Sequence, residues 1–289
     1  PHTPYDKGEA SAYDSAKLTL PPTFVDTPNT RQEYAKYLAE ITYFDSQVGT
    51  IVGLLAKHGL SDNTLVMVVS EQGNAFPFAK WTCYDHGLQS AMVVRWPGRV
   101  KAGAVSDAMG GYVDVTPTFI DAAGGKPVAG LDGKSFLPVL SGKAKRHKDY
   151  VFGIMTTRGI NNGTEAFAIR SVRDKRYKLI LNLNHESKFT NACTKMPLFR
   201  SMVAKAETGD PLAKRLVHAY HHRPAVELFD MAVDPLEMNN LAGQPNTQKT
   251  EARLRQELAA WMTAQGDQGV ATEMKALKRQ RASKARKKD

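Results

Sequence analysis

The sequence predicts an α/β fold with a mostly parallel central sheet, followed by a smaller subdomain with an antiparallel sheet and a covering helix. Three observations carry that expectation. Leu65 to Val69 is an uninterrupted apolar run, the pattern of a strand buried on both faces of a parallel sheet, and it ends abruptly in Ser70-Glu71-Gln72-Gly73. Ahead of it, Tyr34, Tyr37, Leu38, Ile41, Phe44, Val48, Ile51, Val52 and Leu55 recur at helical spacing. Beyond Asp149, Tyr150 to Met155, Ala166 to Val172 and Tyr177 to Asn182 are strand-like runs separated by turn residues.

Taken in order, Thr30-Arg31-Gln32-Glu33 has the form of a capping box at the start of the first helix, and Gly59 is suited to stop it. The strand at Leu65 to Val69 follows, and open α/β sheets place their ligands at the carboxyl ends of such strands. A second run, Ala91 to Arg95, halts at Trp96-Pro97-Gly98, where proline has no amide to give to a ladder. Another helix begins near Thr116 with Pro117 in its first turn and ends at Gly124-Gly125. Residues 125 to 149 are rich in Gly, Pro and Lys and read as loops, which places a subdomain boundary near Asp149. Thr250 to Gln265 presents Leu254, Leu258 and Trp261-Met262 on one side, as a helix covering the second sheet would. The expected division is 1–149, 150–270 and a basic tail at 271–289.

Composition narrows the class. A chain of 289 residues with 42% hydrophobic and 24% charged residues is a soluble globular mixture, and no apolar stretch reaches the roughly 18 residues of a membrane span. The formal charge of +10 invites a nucleic-acid reading, yet residues 274–289 hold eight Lys or Arg against one Asp, leaving only +3 for the body. The basic balance is a property of the tail, so no nucleic-acid partner is expected.

Several blocks then share one resemblance. They are the strand with Ser70-Glu71-Gln72-Gly73, Lys80, Tyr84-Asp85 and the strand ending Arg95-Trp96-Pro97-Gly98; Pro1-His2-Thr3-Pro4; Tyr112 to Thr118; Asp132 to Leu140; and Glu227-Leu228-Phe229-Asp230 with Asp234-Pro235-Leu236-Glu237-Met238-Asn239-Asn240-Leu241. In that order they resemble the type I, formylglycine-dependent sulfatases of the alkaline phosphatase superfamily. Phe76-Pro77-Phe78, Ile169 to Arg173 and Asn182-Leu183-Asn184 look most like the N-sulfoglucosamine sulfohydrolase (heparan sulfamidase) branch. The resemblance implies an alkaline-phosphatase-like sandwich and hydrolysis of sulfate esters or sulfamates on a sulfated carbohydrate. It also implies export, to a periplasmic, extracellular or lysosome-like compartment.

The family nucleophile, a cysteine in Cys-x-(Pro or Ala)-x-Arg that is oxidised to formylglycine, has no counterpart here, nor has the early Asp-Asp metal pair. Cys83-Tyr84-Asp85 and Cys193-Thr194-Lys195 do not fit that pattern, and the two cysteines are open to a disulfide or to two buried thiols. The expectation is the carboxyl-terminal half of a sulfatase, inactive alone, partnered by an N-terminal half that holds the formylglycine.

Sulfuryl hydrolysis needs charge neutralised on the nonbridging oxygens and a proton for the leaving oxygen or nitrogen, which a divalent cation, a lysine and a histidine supply. By resemblance, Glu71 and Gln72 are the metal ligands, and their oxygens suit Ca²⁺ or Mg²⁺. Both are one methylene longer than the family's Asp and Asn or His. Lys80 is matched to the sulfate-binding lysine and His2 to the histidine that protonates the leaving group. Trp81, Asp85, His86 and Arg158 are candidates for holding the sugar, Arg158 through a bidentate fork. Taken alone, Glu71-Gln72 reads as a solvated turn, Lys80 and Arg158 as surface cations, His2 as a frayed terminus and Trp81 as core. Two other readings stay open: a phosphodiesterase or phosphonate hydrolase of the same superfamily, and a catalytically inactive glycan-binding relative.

Overall fold

The computed structural model describes residues 4–156 and 167–275. The helices are α1 (Pro28–Lys57), α2 (Asp85–Leu88), α3 (Val115–Ala122), α4 (Leu137–Leu140), α5 (Pro197–Glu207), α6 (Pro211–His221) and α7 (Gln248–Ala264). The strands are β1 (Val66–Val69), β2 (Met92–Arg95), β3 (Val151–Met155), β4 (Ile169–Arg173), β5 (Tyr177–Asn182) and β6 (Val226–Asp230). They form two compact units, one from residues up to 44, 72–89 and 152 onward, the other from 45–71 and 90–151. None of the described helices is long and apolar enough to cross a membrane.

Helix α1 starts earlier than the expected capping box. Thr27 Oγ1 accepts the Thr30 amide at 3.1 Å and Pro28 takes the first helical position, so Thr30 is a fully buried residue of the first turn rather than the cap. The stop is the one expected. Gly59 sits at φ +69° and its amide reaches Ala56 O, while the Leu60 amide reaches Leu55 O, the paired bonds of a Schellman end. The same device ends α3, with Gly124 at φ +75° and the Gly125 amide on Ile120 O.

In the second unit, β1 pairs antiparallel with β2, Val66 opposite Arg95 and Val69 opposite Met92. Among the described residues β1 has this one ladder partner, and Val69, Met92 and Val93 are exposed. An apolar run records burial propensity, not strand direction. The unit is knotted instead around Asp114. This fully buried carboxylate accepts the amides of Gly111 and Lys134, each at 2.9 Å, and meets Lys148 Nζ at 2.8 Å. Burial pushes the Asp114 carboxyl up, but Lys148 and the two amides outweigh it and hold it below the ordinary value. Thr118 Oγ1 donates to Asp114 O and accepts the Phe136 amide. A Cβ on Gly133 would lie 1.8 Å from Val113 O, so only glycine fits there. The blocks 112–118 and 132–140 are therefore one structural knot, and the span read as loops contains α4.

The first unit is built on the antiparallel sheet β3-β4-β5-β6, with Ser171 opposite Ile180 and Ile180 opposite Glu227. Alternation sends Ile169, Ile180 and Phe229 into one core with Cys83, Tyr84 and the buried residues of α5 and α6. Val172, Leu179 and Leu228, of opposite parity, are also fully buried. Helix α7 packs on β4 and β5 through Leu254 and Leu258, and Trp261 stacks on Phe152 at 4.7 Å. That is the covering helix expected. Strand β6 and helices α5 and α6 were not anticipated as elements.

Both cysteines are free and fully buried, which settles the open pairing. Burial pushes the Cys83 thiol up to about 11 and the Cys193 thiol to about 12. The native chain should give no reaction with a charged thiol reagent at neutral pH and two thiols after denaturation without reductant. Native-state labelling, or fewer than two thiols on unfolding, would contradict this packing.

Candidate functional site

Strand β1 delivers the chain to the residues singled out by the sequence. The Ser70 amide donates to Ala91 O at 3.0 Å and the Ala91 amide to Ser70 Oγ at 2.8 Å, so the strand pair closes across the mouth of a long loop. Glu71 and Gln72 follow as exposed residues, Glu71 in the second unit and Gln72 in the first. Both carry oxygen donors of the kind a hard cation takes, but Ca²⁺ needs roughly 6–8 oxygens. Among the described residues no cluster of three or more His, Cys, Asp or Glu stands ready to hold a metal. The donor chemistry fits such a cation, and the donor set is incomplete.

The loop from Gly73 to Leu88 folds back on itself. A Cβ on Gly73 would fall 2.6 Å from His86 O and 2.8 Å from the Lys80 nitrogen, and one on Gly87 would fall 2.5 Å from Ala79 O. These two glycines let the loop's backbone segments touch. Between them, the Lys80 amide donates to Asn74 O at 2.9 Å, Asn74 Oδ1 accepts the Phe76 amide, and Thr82 Oγ1 donates to Ala79 O. Phe78 and Trp81 hold φ values of +63° and +66°. Bulky residues adopt that region only where the surroundings force it. The result is a buried Lys80 with its Nζ 5.9 Å from the Trp81 ring centre, a long cation–π approach.

Two anchors fix the loop in the first unit. Phe76 is buried among aromatic rings, with Phe24 at 4.9 Å, Tyr37 at 5.5 Å and Tyr34 at 6.1 Å between centroids. The other anchor is ionic. Lys178, on β5 and 1% exposed, places its Nζ 2.8 Å from Asp85 Oδ1 and 3.0 Å from Glu237 Oε1. Arg173 pairs with the other Asp85 oxygen, and the Asp85 amide donates to Glu237 Oε2 at 2.6 Å. Beside it, Tyr84 OH donates to Glu227 Oε2 at 2.6 Å and Asn182 Nδ2 to Glu227 Oε1 at 2.7 Å. Close approach at Gly153 completes the seat, since a Cβ there would strike Leu88 Cδ1 at 2.4 Å.

The structure places Lys80 beside the Trp81 ring and engages Asp85 in ion pairs with Lys178 and Arg173. His86 lines a cavity in the first unit with Tyr84, Glu227 and Glu237. His2 and Arg158 lie outside the described residues. Sequence reasoning did not single out Lys178, Glu227 or Glu237 as site residues. The available signal was a lysine inside the strand-like run Tyr177 to Asn182 and two acids inside a recognised block.

Burial dominates the electrostatics here. It pushes the Glu237 carboxyl up to about 7 against the pull of Lys178, and it draws the Lys178 ammonium below the usual lysine range against the support of Glu237.

Comparison with known proteins adds a second line. The family model described as Sulfatase matches residues 1–125, and that described as N-sulphoglucosamine sulphohydrolase, C-terminal, matches residues 73–192. The two overlap on the stretch containing the loop. An ulvan-active sulfatase of Formosa agariphila is 35% identical over 233 residues, covering 81% of this chain and 44% of that protein. The N-sulphoglucosamine sulphohydrolase of Homo sapiens is 30% identical over 264 residues, covering 86% and 51%. A solved structure of a protein with its substrate D-glucosamine-2-N,6-O-disulfate superposes on 83% of this chain and 42% of its own, with TM-score 0.61 at 22% identity, a likeness of fold. The chain spans about half the length of the curated relatives it matches.

The Glu237 shift carries a pH dependence. A carboxyl raised from 4.5 to about 7 in the folded state contributes stability that is full below pH 4.5 and is lost as pH rises toward 7. Glu237→Gln should remove that slope, so the wild-type unfolding free energy measured in urea should fall relative to the variant between pH 4.5 and 7. A difference that stays flat across this window would contradict the assignment.

Proposed function

Because the chain belongs to the sulfatase family, we propose that it works as part of an enzyme hydrolysing sulfate esters or sulfamates on a sulfated carbohydrate. It has the α/β fold of the alkaline-phosphatase-like sulfatases. The observation that carries the reading is Lys80, a buried lysine held by glycine-bracketed, strained backbone in the loop that follows β1. A lysine ammonium presents three N–H donors and a point charge to an anion. The carbohydrates named by relatives, ulvan and N-sulphoglucosamine, support a sulfated glycan, with N- or O-sulfate both open.

In this reading Lys80 neutralises charge on the nonbridging sulfuryl oxygens, where it grows or shifts as the S–O or S–N bond breaks. His2 protonates the departing oxygen or nitrogen. Glu71 and Gln72 contribute oxygens to a Ca²⁺ or Mg²⁺ ion, which when bound adds Lewis-acid neutralisation of the sulfate. In this reading the nucleophile is the formylglycine expected in the N-terminal half of the same sulfatase, while Cys83 and Cys193 are buried thiols with raised pKa values.

We assign residues 1–149 to the catalytic α/β domain and 150–270 to its companion subdomain, with an N-terminal half of the same sulfatase as partner. In the second unit Ile51, Leu54, Val93 and Val113 are all at least half exposed, and the β1–β2 pair has both outer edges open among the described residues. Apolar surface of that kind supports a covering partner. Export of the assembled enzyme follows the same family reading.

Release of free sulfate from a sulfated oligosaccharide by the full-length protein tests the activity. Binding without release would favour the glycan-binding alternative, to which the exposed Glu71-Gln72 pair with its single carboxylate lends support. In the active enzyme Lys80→Ala should lower kcat by about 10² or more, the scale of losing one preorganised oxyanion donor, and Lys80→Arg should restore only part of it. An unchanged kcat in Lys80→Ala would remove Lys80 from the mechanism.

A further inference from the structure

A cavity of about 230 Å³ opens in the first unit, walled by α6, the loop carrying Lys80 and the 234–241 block. Its rim is nitrogen-rich. Arg215 and His218, at i and i+3 on α6, share one side of the helix, His222 follows just past its end, and His86 contributes from the loop, all four lining the cavity. The His218 and His222 rings lie 5.0 Å apart, and Arg215, His218 and His222 are all exposed enough to be reached from solvent.

The remaining wall is largely apolar. Phe78, Tyr84, Leu216 and Phe229 line it. Phe78 is held edge-on to Tyr220 at 5.2 Å and by its left-handed backbone, so the strain in this loop serves the cavity as well as Lys80. Of the two acids in the wall, Glu227 accepts from Tyr84 and Asn182, and Glu237 accepts the Asp85 amide on Oε2 and lies beside the Lys178 ammonium through Oε1, which has no hydrogen-bond partner among the described residues. What the cavity offers a ligand is thus an aromatic surface under a set of N–H donors, the form of a small-ligand site with a few orienting polar groups.

We propose that this cavity is a subsite for one monosaccharide unit bearing an anionic group, a carboxylate or a sulfate, taken up by Arg215 and the His218–His222 pair while the apolar C–H face of the ring packs on Phe78. The arginine fork matches two oxygens of either anion, and each imidazole adds an N–H donor whether or not it is protonated. The inference rests on the sulfated-carbohydrate reading above and deepens it, because it makes the protein read the charge of a sugar unit beyond the sulfate group met by Lys80.

Calorimetric titration of the full-length protein with three disaccharides of one linkage tests it: one carrying a uronate, one carrying an O-sulfate, and one neutral. At least one acidic disaccharide should bind about tenfold or more tighter than the neutral one, the scale of one charge-assisted hydrogen bond. Preference for the uronate assigns the anion as carboxylate, and preference for the sulfated sugar assigns it as sulfate. Arg215→Glu and the double variant His218→Ala/His222→Ala alter exposed side chains, so their circular dichroism should match the parent. Each should reduce the acidic preference by about tenfold or more while leaving the neutral disaccharide unchanged. Equal binding of all three sugars, binding of none, or full preference retained in both variants would overturn the subsite. Sulfate release is read separately: its failure with the acidic preference intact would overturn the sulfatase reading and leave the subsite standing.

Discussion

The Lys178 ammonium, buried between the carboxylates of Asp85 and Glu237, is the constraint from which the architecture of the first unit follows. Moving a lysine and two acids out of water carries a penalty of several kcal/mol per ion, which is offset only when every partner is present and hydrogen-bonded. Arg173 on Asp85 and the Asp85 amide on Glu237 add further contacts, while Arg173 Nε and Glu237 Oε1 are left buried without a hydrogen-bond partner among the described residues, which fits the raised Glu237 carboxyl. One element of the cluster is the loop carrying Lys80, one is the central sheet, and one is the 234–241 block. Losing any member would strand a buried charge, which makes these three segments cooperative. Phe76 in its aromatic surroundings fixes the other end of the same loop by burial alone.

This arrangement divides labour among residues that the sequence presents as one motif. Tyr84 and Asp85 face inward and hold the loop, Lys80 is buried between the strained positions Phe78 and Trp81, and His86 lines the cavity. Glu237, itself at φ +56°, belongs to the holding set. In the second unit Asp114 does the equivalent task for two other motif blocks, with Gly133 required by the closeness of Val113 O. The motif blocks of this chain thus fasten its segments together as well as carrying candidate chemistry.

Legibility followed the range of the interaction. Gly59 and Gly124 announce helix ends because a left-handed residue after an apolar stripe is a local event. The strands at 151–155, 169–173 and 177–182 and helix α7 were readable from periodicity, and Leu254 and Leu258 are buried as that pattern requires. Helices α5 and α6 were missed because Leu198, Phe199, Met202, Leu216 and Tyr220 are interleaved with basic residues. The usable signal was Asp210-Pro211, where Asp210 does cap α6 through the Ala213 amide at 2.8 Å. The direction of β1 against β2 has no local signature. Nor does the Lys178 cluster: Lys178 and Asp85 are 93 positions apart, and a lysine in a half-alternating strand reads as solvent-facing until its partners are placed. Lys80 became visible through resemblance, and its burial only through the fold.

The most direct test of this account is native-state hydrogen exchange across residues 72–89 and strand β5. If the Lys178 cluster fastens the loop to the sheet, the amides of Lys80, Asp85, Gly87 and Leu88 should exchange with opening free energies close to those of Leu179 and Ile180, as one cooperative unit. Loop amides that open by several kcal/mol less than the strand would show that the ion cluster does not hold it, and would contradict the central claim.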